Sequence, residues 1–581
     1  MSEPSVRCHP VHQLGSDPSY SIAFLASMIA TIPVSARSVL LIMVLATTAN
    51  VSAQLGGGRP ALTHADTLRG SIGPGRAWWD VMHYDVSVRP DFLTKSISGT
   101  TIITFRAISP GQRMQIDLQE PLEIDAITMN GAAAAFAREE DVWWVDLPAT
   151  IRQQDQAAIT INYHGVPRAA KNPPWDGGWI WREDDAGNPW MSVACQGLGA
   201  SVWYPCKDHQ SDEPDSAALH ITVPSDLQAI GNGRLRSRTT DNRQLTTWTW
   251  TVTNPINSYN LIPYIGKYVH WSEVYAGEEG PLDLDYWVLA ANEAKAREQF
   301  KQVPLMMKCF EEWLGPYPFY NDGYKLVEAP HLGMEHQSAI AYGNHYLNGY
   351  LGMDRSGTGK GLKWDYIIIH ESGHEWFGNS ITTEDIADMW VHEGFTDYTE
   401  TIYTECQQGK TAGEDYVIGL RKGISNDKPL IGPYGVNQEG SGDMYNKGAN
   451  LIHTIRHIMG DDAKFRAMLR EMNKTFRHQM VTSDMIEGFI SRYAGRDLSP
   501  VFDQYLRTIQ VPVFERRIQR KRLSHRWAHC APAFLMPVKV KVKEAEHGLE
   551  PSTDWQALDG KVKKAVVAVD RNWYVTSRRV P

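Results

Sequence analysis

Apolar and polar residues alternate in short runs through the first part of the chain. The runs "HYDVSVR" from His83, "GTTIITFRA" from Gly99 and "TTWTWTVT" from Thr246 repeat with a period of two, as in strands with one buried face. Turn-forming pairs such as Asn130-Gly131 separate the runs. The pattern predicts an amino-terminal β domain over residues 54–271, built as a β-sandwich.

The period changes to that of a helix after residue 271. Apolar residues recur every three to four positions in "NEAKAREQFKQVPLMMKCFEEWLG" from Asn292 and in "NKGANLIHTIRHIMG" from Asn446. Alternation returns in "PVKVKVKE" from Pro537. We therefore predict an α+β multidomain protein with a mainly helical domain over residues 272–511 and a small β domain over 512–581.

Composition and charge narrow the class of protein. The 581 residues are 42% hydrophobic and 21% charged, which is typical of a folded chain with several cores. A net charge of −10 argues against nucleic-acid binding, and we assign the basic run Arg516–Arg526 to a solvated strand face.

The first 53 residues have the pattern of a secretory signal. Arg37 precedes the apolar run Val39–Ala46, and Val51-Ser52-Ala53 fits a cleavage site before Gln54. Translation starting at Met28 would give a signal of ordinary length. The apolar run is short for a membrane span, and no lipid-carrying cysteine stands at the site, so we expect an exported protein, periplasmic or extracellular, without a stable membrane anchor. An uncleaved anchor is the alternative.

Five cysteines follow the signal: Cys195, Cys206, Cys309, Cys406 and Cys530. Their scattered positions do not form a disulfide framework. Cys195 and Cys206 are close in sequence and could pair, but the sequence does not decide this. The absence of a CxxC pair argues against a zinc site made of thiolates.

One helical segment carries ionisable residues inside an apolar pattern. The stretch "YIIIHESGHEWFGNS", Tyr366 to Ser380, predicts a buried helix that stops at Gly378-Asn379. The residues expected on its packed face are Trp364, Ile367, Ile368 and Phe377.

This helix also holds a metal-binding spacing. His370 and His374 stand one turn apart and share a face, with Glu371 beside the first histidine. Two such histidines bind Zn²⁺, and the glutamate accepts a proton from a water at the metal. Because a catalytic zinc keeps three protein ligands, a third is needed.

The stretch "MWVHEGFTDYTE" supplies the third ligand. Glu393, separated from His374 by eighteen residues, lies between apolar neighbours where an unpaired buried carboxylate would be costly. We predict that His370, His374 and Glu393 bind one Zn²⁺. Glu400, two helical turns further, would accept a hydrogen bond from a ligand histidine, or else is a solvated acid.

A further acid lies in "HLGMEHQSAIAYGN". Glu335 is surrounded by small and apolar residues, where a carboxylate needs a cation or strong donors. A free peptide amine would be such a cation. A salt bridge within the protein is the alternative.

Together these motifs resemble the gluzincin aminopeptidases, the family of aminopeptidase N and leukotriene hydrolase. The resemblance rests on "GMEH" from Gly333, "HESGHEW" with its following Glu393, and "YNKG" from Tyr445, in this order and spacing. It extends, more weakly, to Ala194–Pro214 and Asn254–Tyr268, and so covers roughly Tyr84 to Val513.

The resemblance implies a thermolysin-like catalytic domain and a role for each matching residue. Glu371 would be the general base, and Tyr445 would stabilise the oxyanion. The substrate α-amine would be bound by Glu335 with the help of Gln196, within the segment Gly333, Met334, Glu335 and His336.

Three departures from the family pattern limit what is carried over. His336 replaces the usual asparagine, so activity would fall toward acid pH if His336 titrates within the amine site. Asn437 stands where the epoxide-opening branch has an acid, so that activity is not expected. The long helical carboxyl-terminal domain of larger members is missing, which would leave a more open cleft.

We therefore expect an exported zinc aminopeptidase acting on peptides with a free amino terminus. A zinc endopeptidase of the same class, or a degenerate enzyme that only binds peptides, are the alternatives. The intact set of predicted ligands, base and tyrosine argues against the second. The sequence indicates neither the preferred first residue nor the oligomeric state.

Overall fold

The computed structural model describes residues 62–581 except 521, 543–544 and 559–566. The predicted signal over residues 1–53 lies outside the described residues. In the part of the chain that is described, no helix is both long and apolar enough to cross a membrane.

A short helix and fifteen strands form the amino-terminal β region. Their bounds are α1 (His64–Gly70), β1 (Trp79–Asp91), β2 (Ser96–Ala107), β3 (Gly111–Asp117), β4 (Glu123–Met129), β5 (Ala132–Ala133), β6 (Ala135–Glu139), β7 (Val142–Ile151), β8 (Gln156–Gly165), β9 (Gly178–Glu183), β10 (Pro189–Ala194), β11 (Ser216–Pro224), β12 (Gln228–Ile230), β13 (Arg234–Thr240), β14 (Leu245–Val252) and β15 (Tyr264–Gly266).

These strands form three sheets that share one core. The largest has the order β13-β14-β11-β1-β2-β8-β4-β5, and the others are β12-β15-β10-β9 and β3-β7-β6. Strand β1 shows how the sequence pattern maps onto the sheet, because it buries Val81, Tyr84, Val86 and Val88. The step of three from Val81 to Tyr84 coincides with a register shift in the pairing with β2, as a bulge requires.

The following region is mainly helical. Its elements are β16 (Tyr268–Gly277), β17 (Gly280–Leu289), α2 (Glu293–Gln299), α3 (Gln302–Leu314), β18 (Tyr324–Glu328), β19 (Gly333–Met334), β20 (Ile340–Tyr342), α4 (Tyr366–Gly373), β21 (Ile381–Thr383), α5 (Trp390–Gln408), α6 (Lys410–Leu420), α7 (Asn446–Met459), α8 (Asp462–Thr475), β22 (Gln479–Val481), α9 (Ser483–Ala494) and α10 (Ser499–Arg507).

A mixed sheet in the order β16-β17-β18-β20-β19 begins this region. The boundary proposed at 271/272 falls inside β16, which pairs along its whole length with β17. At the other end, β19 pairs with β20 and is an edge strand, so that one side of its backbone is open.

The carboxyl-terminal region is a small β unit. It contains β23 (Val513–Gln519), β24 (Arg522–Ala528), β25 (Val538–Val542), β26 (Ala545–Leu549), β27 (Gln556–Leu558), β28 (Val567–Val569) and β29 (Thr576–Arg579). The basic run lies on β23 and β24, where Arg526 forms an ion pair with Glu515 at 2.7 Å. The α+β multidomain fold expected from the sequence is confirmed.

The structure contains a disulfide bond that the sequence did not predict. Cys309 on α3 is bonded to Cys406 on α5, across a sequence separation of 97 residues. Cys195 and Cys206, the pair left open by the sequence, are both free and buried. The bond requires two helices far apart in sequence to pack side by side, which no local spacing of cysteines reveals.

Candidate active site

The metal-motif helix α4 is shorter than its apolar pattern suggests. Asp365 caps its first turn by accepting hydrogen bonds from the backbone amides of Ile367 and Ile368. The helix ends at Gly373, whereas the sequence indicated a stop at Gly378-Asn379. Beyond Gly373 the amides of Glu375 and Trp376 bond three residues back, to Ser372 and Gly373, so the chain tightens into a turn. His374 caps the helix end and stays on the same face as His370.

The three predicted zinc ligands meet at one point. His370 Nε2 lies 3.3 Å from His374 Nε2. Glu393 Oε2 lies 3.6 Å from the first of these nitrogens and 3.4 Å from the second. Tetrahedral zinc with bonds of about 2.0–2.2 Å separates its ligand atoms by roughly 3.3–3.5 Å. The triangle of donors therefore has the size that one zinc ion requires.

The outer nitrogens of both histidines are held from behind. His370 Nδ1 donates to Glu400 Oε1 at 2.7 Å, and His374 Nδ1 donates to the carbonyl oxygen of Phe377 at 2.9 Å. In the neutral form that binds a metal, these bonds place the proton of each ring on Nδ1 and leave Nε2 free as a ligand.

Glu393 on α5 completes the donor set from the other side. Burial acts to raise the pKa of its carboxyl, but the two histidines lower it well below the ordinary range. Oε1 accepts a hydrogen bond from Gln196 Nε2 at 3.4 Å. Oε2 is buried and forms no hydrogen bond with any described residue. A buried carboxylate oxygen left facing two imidazole nitrogens fits a cation at the centre.

An ion-pair network lies behind Glu400. Tyr416 donates to Glu400 Oε2 at 2.5 Å, and Arg355 lies 3.7 Å from Oε1 and 3.1 Å from Asp397 Oδ1. Burial acts to raise the pKa of Glu400, yet the hydrogen bond from His370 and the charge of Arg355 lower it below the ordinary value. Glu400 is thus a buried partner of His370 in the structure.

Glu371 faces the cavity beside the donor triangle. Burial, opposed by the two histidines, raises the pKa of its carboxyl to about 7. A carboxyl with a pKa near neutrality is suited to accept and return a proton. Gly333 leaves room for it, because a Cβ on Gly333 would lie only 2.9 Å from Glu371 Oε1.

Glu335 follows the edge strand β19 and is 2% exposed. Oε1 accepts a hydrogen bond from Tyr259 at 3.0 Å, and Asn379 donates to its backbone carbonyl. Carboxylate oxygens of Glu335 and Glu371 and a nitrogen of His374 lie within 4.8 Å of one another. Glu335 has no ion pair with a lysine or arginine among the described residues, so the salt bridge considered for it is not formed there.

His336 lies in a different environment from Glu335. It is fully buried, and its Nδ1 lies 2.5 Å from the Tyr264 hydroxyl, which in turn donates to the carbonyl oxygen of Ala339. Nδ1 therefore carries the proton. Burial, with a smaller effect of His331, lowers the pKa of His336 well below its ordinary value. The ring is neutral, and it does not line the cavity.

Tyr445 enters the cavity from the start of α7. Its ring centroid is 6.1 Å from that of His370. Burial and the nearby carboxylates of Glu393 and Glu439 raise the pKa of its hydroxyl well above the ordinary value, so the hydroxyl keeps its proton as a donor.

Two glycines set the position of this tyrosine relative to the metal ligands. Gly394 on α5 follows Glu393, and Gly448 on α7 lies one turn after Tyr445. A Cβ on Gly448 would lie 2.8 Å from the Cα of Gly394. The two helix backbones approach so closely here that any larger residue would push them apart.

The cavity has a volume of about 310 Å³ and collects side chains from both large domains. All the predicted site residues except His336 and Glu400 line it. The sequence did not reveal the apolar lining residues Pro174, Leu332 and Tyr350. It also missed Arg355 and Trp175, which line the cavity, and Glu439, whose pKa burial raises to about 7. For Trp175 the sequence did carry a signal, because the turn-forming residues of "NPPWDGG" keep this segment at the surface, where a tryptophan is not part of a core.

Two family models match the chain. The Peptidase M1 N-terminal domain matches residues 81–260, and the Peptidase family M1 domain matches residues 299–505. Among curated proteins, the chain is 22% identical over 446 residues to the leukotriene A-4 hydrolase of Xenopus laevis, covering 71% of this chain and 68% of the relative. It is 24% identical over 480 residues to aminopeptidase B of Mus musculus, covering 74% and 70%.

Solved structures show the same fold. The M1 zinc metallopeptidase of Deinococcus radiodurans superposes with a TM-score of 0.64 at 22% identity, covering 77% of this chain and 98% of that one. A variant of that protein was solved with a Tyr-Ser-Ala substrate, and a variant of a two-domain M1 zinc metallopeptidase was solved with L-tryptophan. Both M1 domain types, in the expected order, thus enclose the donor triangle and its glutamates. The chain is a member of peptidase family M1, the gluzincin family recognised in its motifs, and a zinc-dependent aminopeptidase.

Proposed function

We propose that this enzyme is exported and removes the first residue from peptides, with Glu371 as the general base, Tyr445 as the oxyanion donor and Glu335 as the anchor of the substrate amine. The observation that carries the proposal is the position of Glu335. A buried carboxylate without a cationic partner among the described residues lies beside both the proposed base and the donor triangle.

Glu335 selects the bond that is cut. A peptide ammonium bound to this carboxylate is held within a few ångströms of the donor triangle, so that only the first peptide bond reaches it. Tyr259 and Gln196 support this end of the cavity, Tyr259 by donating to Glu335 and Gln196 by donating to Glu393. An internal peptide bond brings no cation and leaves the carboxylate desolvated without a partner.

The remaining residues act on the reacting carbonyl. Zinc, when bound by His370, His374 and Glu393, acts as a Lewis acid toward the carbonyl and the attacking water. Glu371 accepts the proton of that water and passes it to the leaving amine. The Tyr445 hydroxyl donates to the carbonyl oxygen as negative charge develops there.

Paired peptides test the exopeptidase assignment. We expect the free peptide to lose its first residue and its N-acetylated form to be inert, as read by mass spectrometry of the products. Glu335→Gln should lose most of kcat/KM on the free peptide and retain zinc, while the exposed Glu384→Gln serves as the control. Internal cleavage of the acetylated peptide at a comparable rate would contradict the proposal and favour the endopeptidase.

Export is supported by the signal-like pattern of residues 1–53 and by the Cys309–Cys406 bond, since disulfides persist mainly in oxidising compartments. We expect the mature protein to be found outside the cytoplasm with Gln54 as its first residue. Amino-terminal sequencing of the enzyme from cell fractions tests this, and an intact leader in the cytoplasmic fraction would contradict it.

A further inference from the structure

One side chain at the mouth of the cavity is unused by the chemistry above. Trp175 is 71% exposed, and it is the one tryptophan of the described residues that falls in the exposed class. No other described ring or cation stacks on it. Pro174 and Trp175 reach the cavity from the β domain, in the connection before β9.

A well-built turn holds this tryptophan in place. The Asp176 carboxylate accepts hydrogen bonds from the amides of Lys171 at 2.7 Å and Asn172 at 2.9 Å. The Trp175 amide donates to the carbonyl oxygen of Asn172 at 2.9 Å, and Arg168 donates to that of Asp176. Hydrogen bonds among five residues of the turn fix its backbone, while the Trp175 indole stays exposed to solvent. Such an arrangement presents an apolar surface for a ligand to cover.

The turn is seated on the segment that carries Gln196. A Cβ on Gly177 would lie 2.7 Å from Leu198 Cδ2 and 3.3 Å from the carbonyl oxygen of Ala194, so the turn and this segment are in direct contact. Gln196 in turn donates to Glu393. Trp175 therefore enters on the Gln196 side of the cavity, where the proposed function places the first residue of the peptide.

Other apolar side chains share the cavity with the indole. Pro174, Leu332, Met334 and Tyr350 line it together with Trp175. The anionic groups of the cavity, Glu335, Glu371 and Glu393, are already assigned to the amine, the proton transfer and the metal. Gln196 and Arg355 also line the cavity, but they are bonded to Glu393 and Asp397. The surface that remains for the first side chain is thus apolar and partly aromatic.

We propose that Trp175 forms a wall of the subsite for the first side chain and makes the enzyme prefer peptides that begin with a large apolar or aromatic residue. This inference rests on the proposed aminopeptidase function. Burial of the indole against such a side chain removes apolar surface of both from water, which an N-terminal alanine achieves to a much smaller extent.

A substrate panel with matched variants tests the subsite. Fluorogenic amides of phenylalanine, leucine, alanine and arginine would be compared on the parent enzyme, Trp175→Ala and Trp175→Phe. We expect Trp175→Ala to lose about tenfold or more in kcat/KM on phenylalanine and leucine but less than about twofold on alanine, because only large side chains cover the indole. Trp175→Phe should recover most of the loss, and zinc content should be equal in all. Leu93→Ala, at a residue that is 92% exposed and does not line the cavity, is the control for a surface change.

Two results would overturn the inference. One is that the ratio of kcat/KM on the phenylalanine amide to that on the alanine amide is the same in Trp175→Ala as in the parent. The other is that the parent enzyme prefers the arginine amide. The peptides Phe-Ala-Gly and Ala-Phe-Gly show which position of the substrate contacts the indole. If Trp175→Ala lowers kcat/KM only on Ala-Phe-Gly, the indole contacts the second residue of the peptide, which contradicts the proposed subsite. The acetylated-peptide experiment fails separately: if blocked peptides are cut, the aminopeptidase proposal fails whatever Trp175 does.

Discussion

The two sides of the cavity are built in opposite ways. On the catalytic-domain side, His370, His374 and Glu393 are at most 4% exposed, and each histidine is held by a hydrogen bond from behind. On the β-domain side, Gln196 is half-buried and Trp175 projects from a surface turn. The difference follows from the tasks: a metal requires ligand atoms fixed within a few tenths of an ångström, whereas a side-chain subsite tolerates varied shapes.

The largest loss that we expect comes from Glu371→Gln on the buried side. The amide cannot accept a proton, so kcat should fall by about 1000-fold or more. Zinc content should not change, because Glu371 is not one of the three donors. Steady-state kinetics with metal analysis checks this, with Glu384→Gln as the control. Near-normal turnover would remove Glu371 from the mechanism.

Tyr445→Phe should cause the next largest loss of activity. It removes one donor to the developing oxyanion, and we expect kcat to fall about 100-fold with little change in KM. Tyr350→Phe, at another tyrosine of the cavity, should keep most of its kcat. If KM alone changes in Tyr445→Phe, the residue acts in substrate packing instead.

Gly448→Ala tests whether the glycine contact between α5 and α7 places that tyrosine. The new methyl group would meet the backbone of Gly394, and displacement of Tyr445 should lower kcat about 10- to 100-fold while the zinc stays bound. Gly442→Ala, where a Cβ meets no other atom, is the matched control. Equal kcat in both variants would show that the close approach does not position Tyr445.

Glu400→Gln tests whether the hydrogen bond to His370 on the buried side contributes to zinc affinity. Its charge orients His370, and we expect zinc affinity to fall about 10- to 100-fold, with activity restored by added zinc. Competition with a chelator measures this. The control is Glu414→Gln on α6, outside the network. An unchanged affinity would make Glu400 a packing residue only.

The smallest effect concerns pH. Since burial keeps the pKa of His336 well below its ordinary value, the ring should stay neutral where an ordinary histidine gains its proton. The acid limb of kcat/KM should therefore have the same midpoint in His336→Asn as in the parent. A shift of the midpoint by about one unit would revive the titration considered from the sequence.

What the sequence predicted well was local or carried by the family motif. The spacing of His370 and His374 fixes their shared face within one turn, and the zinc cofactor and the α+β fold are confirmed. The Cys309–Cys406 bond and the seat of Trp175 depend on segments distant in sequence, whose packing no local pattern describes. The environment of His336 was unpredictable for the same reason, because Tyr264 comes from the other domain.

The turn organised by Asp176 has a consequence for the divergence of such enzymes. It lies in a different domain from the zinc ligands and the general base, and its hydrogen bonds join residues 168–179 to one another. With Trp175 in the proposed subsite, we expect a substitution or a short insertion there to alter which peptides fit while the zinc ligands and the general base stay in place. Related enzymes with the same hydrolytic mechanism can thus change their substrate specificity by changes in a surface turn of about ten residues.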